Sequence, residues 1–415
     1  MANSYFTLAS PSGQSTLEGP MRPLAQSRNA DRITLSVHHD MAELEADWRA
    51  LDANRLNSLH QSFDWCAAWK SAHESRLLVV RGAIGKQLLF LLPFEVEIGR
   101  FFRTARLIAT GHSNLNTGLF AADIERVPRD ELRRVLTGGL RRALRSHADV
   151  ATLEKTPAVW RGLPHPLAAL PGIANPNASF QLGLAGDMDR TLVQLNAKRR
   201  RKKMRLSERR LAELGGYDYV IAREPAEAQA LLETFFRQKT ARLEAQGLPD
   251  VFDNSETRAF FRLLIDRQCD GDRLLELNAI RLKGEHQGRI IAVTGLSRKG
   301  DHVICQFGSI DDTIAADSSP GELLFYRVIE RLCGEGVALF DFGIGDQPYK
   351  RSWCTMETGL RDITLPLTLR GYAAAGLHRA VVRAKRAIKA NTTLYAFVQR
   401  RRRQMLRAAA ESAED

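Results

Sequence analysis

Cysteine is scarce: five residues, Cys66, Cys269, Cys305, Cys333 and Cys354, are scattered over 415 positions. They form no C-x-x-C pair, and no histidines pair at zinc-ligand spacing, which argues against a disulfide framework or a structural zinc and leads us to expect no metal. Long apolar runs are missing too, since none approaches the roughly 18 uninterrupted apolar residues that a membrane-spanning helix needs. The first thirty residues are rich in Ser, Pro and Gly but lack a basic start and a continuous apolar stretch. They read as a disordered tail, residues 1–30, rather than a secretory signal. These absences point to the cytoplasm, with any membrane association peripheral and at the inner face.

Acidic residues also run short, 48 against 60 Lys and Arg, for a net charge of +12. The excess is local. Residues 379–407 hold ten Lys or Arg and no acid, which suits basic amphipathic helices on an anionic membrane surface. A second block runs from Lys198 to Lys203 and continues through Arg205, Arg209 and Arg210. It is either a solvated face or a contact for an anionic ligand such as a CoA phosphate, tRNA or a phospholipid head group. No aromatic-glycine RNA-binding signature accompanies either block, which disfavours nucleic acid.

What is present is 44% apolar and 26% charged residues, a globular composition, in a chain longer than one hydrophobic core usually supports. Two domains follow, at 31–186 and 187–370, the second opening with a basic linker helix over 189–214 and trailed by a basic helical tail at 371–415. In the first, periodicity predicts a strand at 33–37, helices at 41–51, 61–69 and 131–146, and a hairpin at 76–82 and 87–96. Strands at 104–110, 118–121 and 148–153 follow, with one near 180–184 to close the half. The second half reads strand 217–222, helices 226–246 and 255–269, three strands at 273–282, 288–297 and 301–310, helix 321–332 and strand 337–342. The linker helix, with an apolar edge of Leu195, Met204, Leu206 and Leu211, is expected to bridge the two domains.

Three strands, a polar loop, a helix and a further strand suit a phosphorylated cofactor. At Asp317-Ser318-Ser319-Pro320-Gly321 the chain offers N-cap side chains, a proline for the first turn and a glycine permitting close approach. A diphosphate is expected on the free amides of such a helix start. Read alone, the same residues equally describe an ordinary capped helix. Gln306 and Ser309, on the preceding strand, are candidates for hydrogen bonds to the rest of the ligand.

Further stretches carry a resemblance. They are Gln61-Ser62-Phe63-Asp64-Trp65 with Trp69, Leu92-Pro93-Phe94, the basic helix from Arg199 to Arg210, Phe235-Phe236-Arg237-Gln238-Lys239, Ser319-Pro320-Gly321-Glu322-Leu323-Leu324, and the run from Phe340 to Trp353. With these the sequence resembles the GNAT acyltransferase superfamily, in its two-domain branch around cellulose and exopolysaccharide biosynthesis proteins of the CelD type, and more distantly Fem-type peptidyltransferases. The resemblance implies an α/β fold of α+β type: two tandem GNAT-like domains, each a mixed, mainly antiparallel sheet flanked by helices. It implies an acyl-CoA (acetyl-CoA) co-substrate and an amine acceptor on a small molecule, a sugar, a lipid or a polysaccharide precursor. Ser318, Ser319, Gly321, Gln306 and Ser309 then become donor-binding candidates. Lys350 or Arg351 would supply the positive charge that this phosphate loop lacks. A base would ease loss of the amine's proton, and Asp341 is the first candidate, Glu276 the second, with Lys350 beside them. Aminoacyl transfer from charged tRNA and a non-catalytic role in a polysaccharide-synthesis complex remain open alternatives.

Overall fold

The computed structural model describes residues 32–269, 272–391 and 401. The expected N-terminal tail and most of the basic segment beyond 391 lie outside them. Along the chain, strand β1 (Thr34–His38) precedes helices α1 (Glu45–Asp52) and α2 (Phe63–Ala72). Strands β2 (Arg76–Ile84), β3 (Gln87–Ile98), β4 (Arg103–Leu107) and β5 (Leu119–Phe120) follow, then helices α3 (Arg129–Arg134) and α4 (Leu140–Leu144). Next come β6 (Val150–Pro157), the ribbon β7–β8 (Val159–Trp160, Leu163–Pro164), β9 (Gly172–Ala174) and β10 (Ser179–Gly183). Helices α5 (Met188–Val193) and α6 (Ala197–Glu213) lead to β11 (Tyr217–Ile221), α7 (Pro225–Ala245) and α8 (Ser255–Asp266). After the ribbon β12–β13 (Gln268–Cys269, Asp272–Arg273) run β14 (Glu276–Leu282), β15 (Ile290–Lys299) and β16 (His302–Ile310). The chain continues through α9 (Pro320–Gly334), β17 (Leu339–Ile344), α10 (Pro348–Trp353), β18 (Met356–Thr358), β19 (Leu360–Pro366) and α11 (Leu369–Ala390).

Two mixed sheets result, as expected. The first is ordered β1-β2-β3-β4-β6-β19-β9 and the second β11-β14-β15-β16-β17-β10-β18. Each is antiparallel except for one pair, β4 with β6 and β16 with β17. Position by position the two sheets correspond, down to two helices before the second strand and helical segments between the partners of the parallel pair. The same order of elements in both halves is what duplication of one unit would give.

The boundary expected between halves at 186/187 is crossed in both directions. The strand at 180–184, expected to close the first half, instead pairs with β17 and β18 in the second sheet. In return β19, downstream of every other strand, pairs with β6 and β9 in the first. Strand periodicity marks which face is buried but not which neighbour supplies the hydrogen bonds, so the exchange is invisible to it.

Other differences are local. The helix expected at 131–146 is interrupted by a π-helical turn at Val135–Gly139, where Leu35 packs onto Gly139. The helical stretch from 189 divides into α5 and α6, capped by Asp187 and Asn196, and Asn254 caps α8. Helix α6 does not bridge the halves: Met204 and Leu211 enter the core of the second sheet. The tail expected from 371 begins as α11, which docks on the first sheet through Ala374, Ala375 and Val382.

The halves share a core. Trp48, Trp65 and Trp69 of the first and Phe235, Phe260, Phe261 and Phe307 of the second belong to one continuous buried cluster. Trp65 and Trp69 meet the Phe260 ring edge-on at 5.1 and 5.0 Å. Each such side chain contributes about 1.5–3 kcal/mol through burial, so the shared cluster fixes the two sheets as one body.

Candidate active site

Strands β16 and β17 run in parallel register for three residues only, His302 to Leu339, Val303 to Phe340 and Ile304 to Asp341. Beyond Ile304 they fork. Strand β16 continues along β15 to Ile310, while β17 turns away at Gly343 and Gly345, whose φ values of +73° and +106° suit glycine. On β16 the register with β15 shifts between Phe307 and Cys305, which leaves Gln306 as a bulged residue at the mouth of the fork.

A cavity of about 340 Å³ lies against β15 and the end of β16, between the start of α9 and helices α6 and α7. Of the predicted ligand residues, Ser309, Ser319 and Gly321 line it, beside Lys203, Arg242, Phe325 and Tyr349. The Ser309 hydroxyl donates to Gln238 Oε1 at 2.7 Å. Ser319 adopts a left-handed conformation (φ +53°) as α9 begins, and a side chain at Gly321 would stand 3.0 Å from Ile310, so glycine lets the helix start close to β16. Most of the amides here are already used: those of Ser318, Ser319, Glu322 and Leu323 donate to carbonyls of Ala315, Ala316 and Ser319. Ser318 itself is buried, its hydroxyl on Ala315 O at 2.7 Å. Positive charge therefore reaches the cavity from side chains more than from the helix start.

Part of the central basic run supplies it. Arg200 is buried over the Trp353 ring at 3.9 Å and donates to Glu322 Oε2 at 2.6 Å and Ser352 Oγ at 2.8 Å, clamping α6 to α9 and α10. Lys203 lies 3.5 Å from the other Glu322 oxygen. Arg242, on α7, makes no ion pair among the described residues and is exposed. Lys198, Arg199, Lys202, Arg205 and Arg209 present an exposed cationic face on α6.

Asp341 lies at the apex of the fork, 1% exposed. Ser179 Oγ and the Gly343 amide donate to one of its oxygens at 3.0 and 2.7 Å, and Gln181 Nε2 to the other at 3.2 Å. His302 Nε2 is 3.6 Å from that second oxygen. Burial pushes the carboxyl pKa up, but His302 and these donors outweigh it and hold the group below its usual range. A carboxylate with saturated oxygens and a depressed pKa is a weak base, and its geometry assigns it the task of fixing β10, β17 and Gly343.

The ammonium of Lys350 is buried and donates to the carbonyls of Gly343 and Ile344 at 3.2 and 2.7 Å. Burial lowers its pKa. It braces the diverging end of β17 from α10, while its neighbour Tyr349 faces the cavity. Two predicted residues stand elsewhere. Glu276 pairs with Arg331 at 2.5 Å on β14, outside the cavity lining, so the expected second base is a structural ion pair. Arg351 is exposed, paired with Asp346 and set over Phe180, and does not line the cavity either.

The N-terminal half reaches the fork as well, which the sequence did not signal. Asn114 Nδ2 donates to Cys305 O at 3.3 Å, and the Ile344 amide donates to Asn114 Oδ1 at 3.5 Å. Its carboxamide spans the two strands where they part. A side chain at Gly343 would come within 2.8 Å of Asn114. His60, fully buried, has Nε2 3.1 Å from Gln306 Oε1. Burial lowers the His60 pKa to about 4, so the ring is neutral. Among the described residues no group of three or more His, Cys, Asp or Glu is placed to hold a metal ion.

Residues 198–351 match the family model described as an Acetyltransferase (GNAT) domain. Among solved structures the chain is similar to FemX, with 14% identity, 82% of this chain and 99% of that one covered, and a TM-score of 0.58. It also aligns with the C-terminal DUF2156 domain of a putative lysylphosphatidylglycerol synthetase from Agrobacterium fabrum, at 11% identity, 83% and 98% coverage and a TM-score of 0.49. No curated protein is matched. Residues 198–351 thus match the GNAT acetyltransferase domain model, in a chain whose fold is similar to that of FemX.

Proposed function

We propose that the protein transfers an acyl group from acyl-CoA to an amine. The observation that carries this reading is the cavity at the end of β16, with cationic Lys203 and Arg242 on its lining beside the start of α9. In this reading the phosphates lie toward Lys203, Arg242 and Gly321, and the acyl arm runs past Ser309 and Ser319 toward the fork. The amine lone pair attacks the thioester carbonyl carbon, a C–N bond forms, the C–S bond breaks, and CoA leaves as thiolate that takes up the proton the amine gives up. The thioester is already activated, so alignment and stabilisation of the oxyanion are the main demands. Deprotonating an alkyl amine at pH 7 adds roughly 4 kcal/mol. Asp341 and Lys350 serve by holding the fork. The acceptor class we favour is an amine on a sugar, lipid or polysaccharide precursor, in exopolysaccharide or cellulose synthesis at the inner membrane face.

Calorimetric titration with CoA and acetyl-CoA tests the donor. Lys203→Ala and Arg242→Ala should each weaken CoA binding about tenfold, the worth of a charge-assisted hydrogen bond, without lowering the melting temperature. Absence of CoA affinity in the unaltered protein rejects the reading.

The exposed cations of α6 favour a second reading, an aminoacyl-tRNA donor of the kind used by Fem-type peptidyltransferases. Salt-sensitive binding of charged tRNA without CoA binding would select it.

A further inference from the structure

Helix α11 is apolar on two sides. Gly371, Ala374, Ala375 and Val382 form the buried face that docks on the first sheet. A second row, Leu369, Ala373, Leu377 and Val381, repeats every fourth residue along the opposite side, joined by Ala380 and Ala384, and all of it is exposed. Leu369 is 90% exposed, Leu377 61% and Val381 42%. A helix docked through one stripe ordinarily turns charged and polar residues outward. Here the outward side is a further apolar stripe.

The patch extends beyond the helix. Eleven large apolar side chains are exposed among the described residues, and six of them are Leu369, Tyr372, Leu377, Val381, Ile98 and Phe101. Ile98 and Phe101 belong to the β3–β4 turn, which stands beside α11 because Phe102 packs against the cluster of Val150, Ala374 and Ala375. Such a concentration of exposed apolar surface marks a contact site.

Charge selects the partner. Residues Leu369–Ala390 include no acid. Helical spacing sets Arg383 on one flank of the outward row and Lys385 on the other, both exposed. At the turn Arg100 lies 5.5 Å over the Phe101 ring, and the acid there, Glu97, is engaged by Arg106 at 2.8 Å. A second copy of the chain would set these cations against their like. An anionic bilayer offers counter-charge at its surface and hydrocarbon just beneath, and Lys and Arg stems reach from one to the other. No helix among the described residues is long and apolar enough to cross a membrane, so the contact is one that lies in the interface.

We infer that the outward face of α11, together with the β3–β4 turn, rests on an anionic phospholipid surface. Leu369, Leu377, Val381 and Phe101 enter the acyl-chain boundary, and Arg383 and Lys385 meet the phosphates. This rests on the inner-membrane placement within the proposed function and deepens it by naming the surface and the lipid class.

Co-sedimentation of the full chain with vesicles at physiological salt tests this, with phosphatidylcholine alone set against phosphatidylcholine containing one third phosphatidylglycerol. The unaltered protein should bind the mixed vesicles at least about tenfold more tightly than the neutral ones. Leu377→Gln with Val381→Gln should weaken that binding about tenfold or more, as two apolar side chains lose their burial. Arg383→Gln with Lys385→Gln should weaken it about twentyfold, at roughly fivefold per cation. These side chains are exposed, so each form should melt at the temperature of the original. Binding kept in the Leu377 and Val381 form means attraction by charge alone and overturns the inference, as does equal binding of the unaltered protein to both kinds of vesicle. A dimer in sedimentation equilibrium that the same form dissolves gives the face to a second copy and overturns it too. Binding to neither vesicle rejects the membrane placement and the inference with it, while CoA titration still judges acyl transfer.

Discussion

Three histidines give single residues a voice in the stability of the whole chain. Burial lowers the pKa of His60 and His112 to about 4 and of His165 to about 3. Their unfolded value is near 6.5, so between these limits the unfolded chain binds more protons than the folded one. Stability is full above pH 6.5 and falls as pH drops toward 4, by roughly 2 kcal/mol per histidine at pH 5. Carboxylates held low, such as Asp341, add to the loss only below about pH 4. Urea midpoints measured from pH 7.5 to 5 should decline accordingly, and His112→Phe should flatten the decline. An unchanged midpoint over that range contradicts the buried, neutral rings. At this scale the sequence marked part of the cavity lining. Ser309, Ser319 and Gly321 were legible because a capped helix start after a strand has a local signature, whereas His60 and Asn114 reach Gln306 and Cys305 from 246 and 191 positions away. Asp341 was legible as a residue that matters but not in its role, because only the fold brings Ser179 and Gln181 to its oxygens.

Among the elements, helix α11 depends on one glycine. Thr368 caps the helix by accepting from the Gly371 amide, and its hydroxyl donates to Asp149 at 3.0 Å. A Cβ at residue 371 would fall 1.8 Å from the Asp149 carbonyl oxygen, a backbone atom that cannot swing aside. Gly371→Ala should therefore undock α11 from the first sheet at a cost of about 1–3 kcal/mol or more. Limited trypsin digestion reads this directly: the altered protein should be cut at Arg379 and Arg383 much faster than the original, with β-sheet circular dichroism retained. Equal cutting rates mean that the helix tolerates the substitution. The described start of the tail, to residue 390, is helical as its composition suggested, but its docking was not legible, because Ala374 and Ala375 are too small to announce a buried face.

For the whole molecule, the reciprocal placement of β10 and β19 and the aromatic cluster shared by the halves make cooperative unfolding the expectation. Scanning calorimetry should show a single transition with equal calorimetric and van't Hoff enthalpies. A fragment ending at residue 186 lacks β19, and one starting at 187 lacks β10, so neither should give a cooperative melt alone. Two separable transitions, or a stable fragment of either kind, contradict this. The order of elements along the chain was readable from hydrophobic alternation, whereas the paired-sheet class was what the family resemblance implied. The crossing of strands was not, since local sequence carries no record of a partner hundreds of residues away.

That crossing also imposes a schedule on a chain made from its N-terminus. The first sheet has its interior strands by residue 157 but waits for β19, at Leu360–Pro366, to cover the flank of β6. Strand β10 is made early and has no partner until β17 emerges. During synthesis β6 and β10 therefore stand as open edges for more than 150 residues of elongation, at about 5–20 residues per second roughly 8–40 s. The nascent protein is most exposed to mispairing in that interval, before residues 339–366 are made.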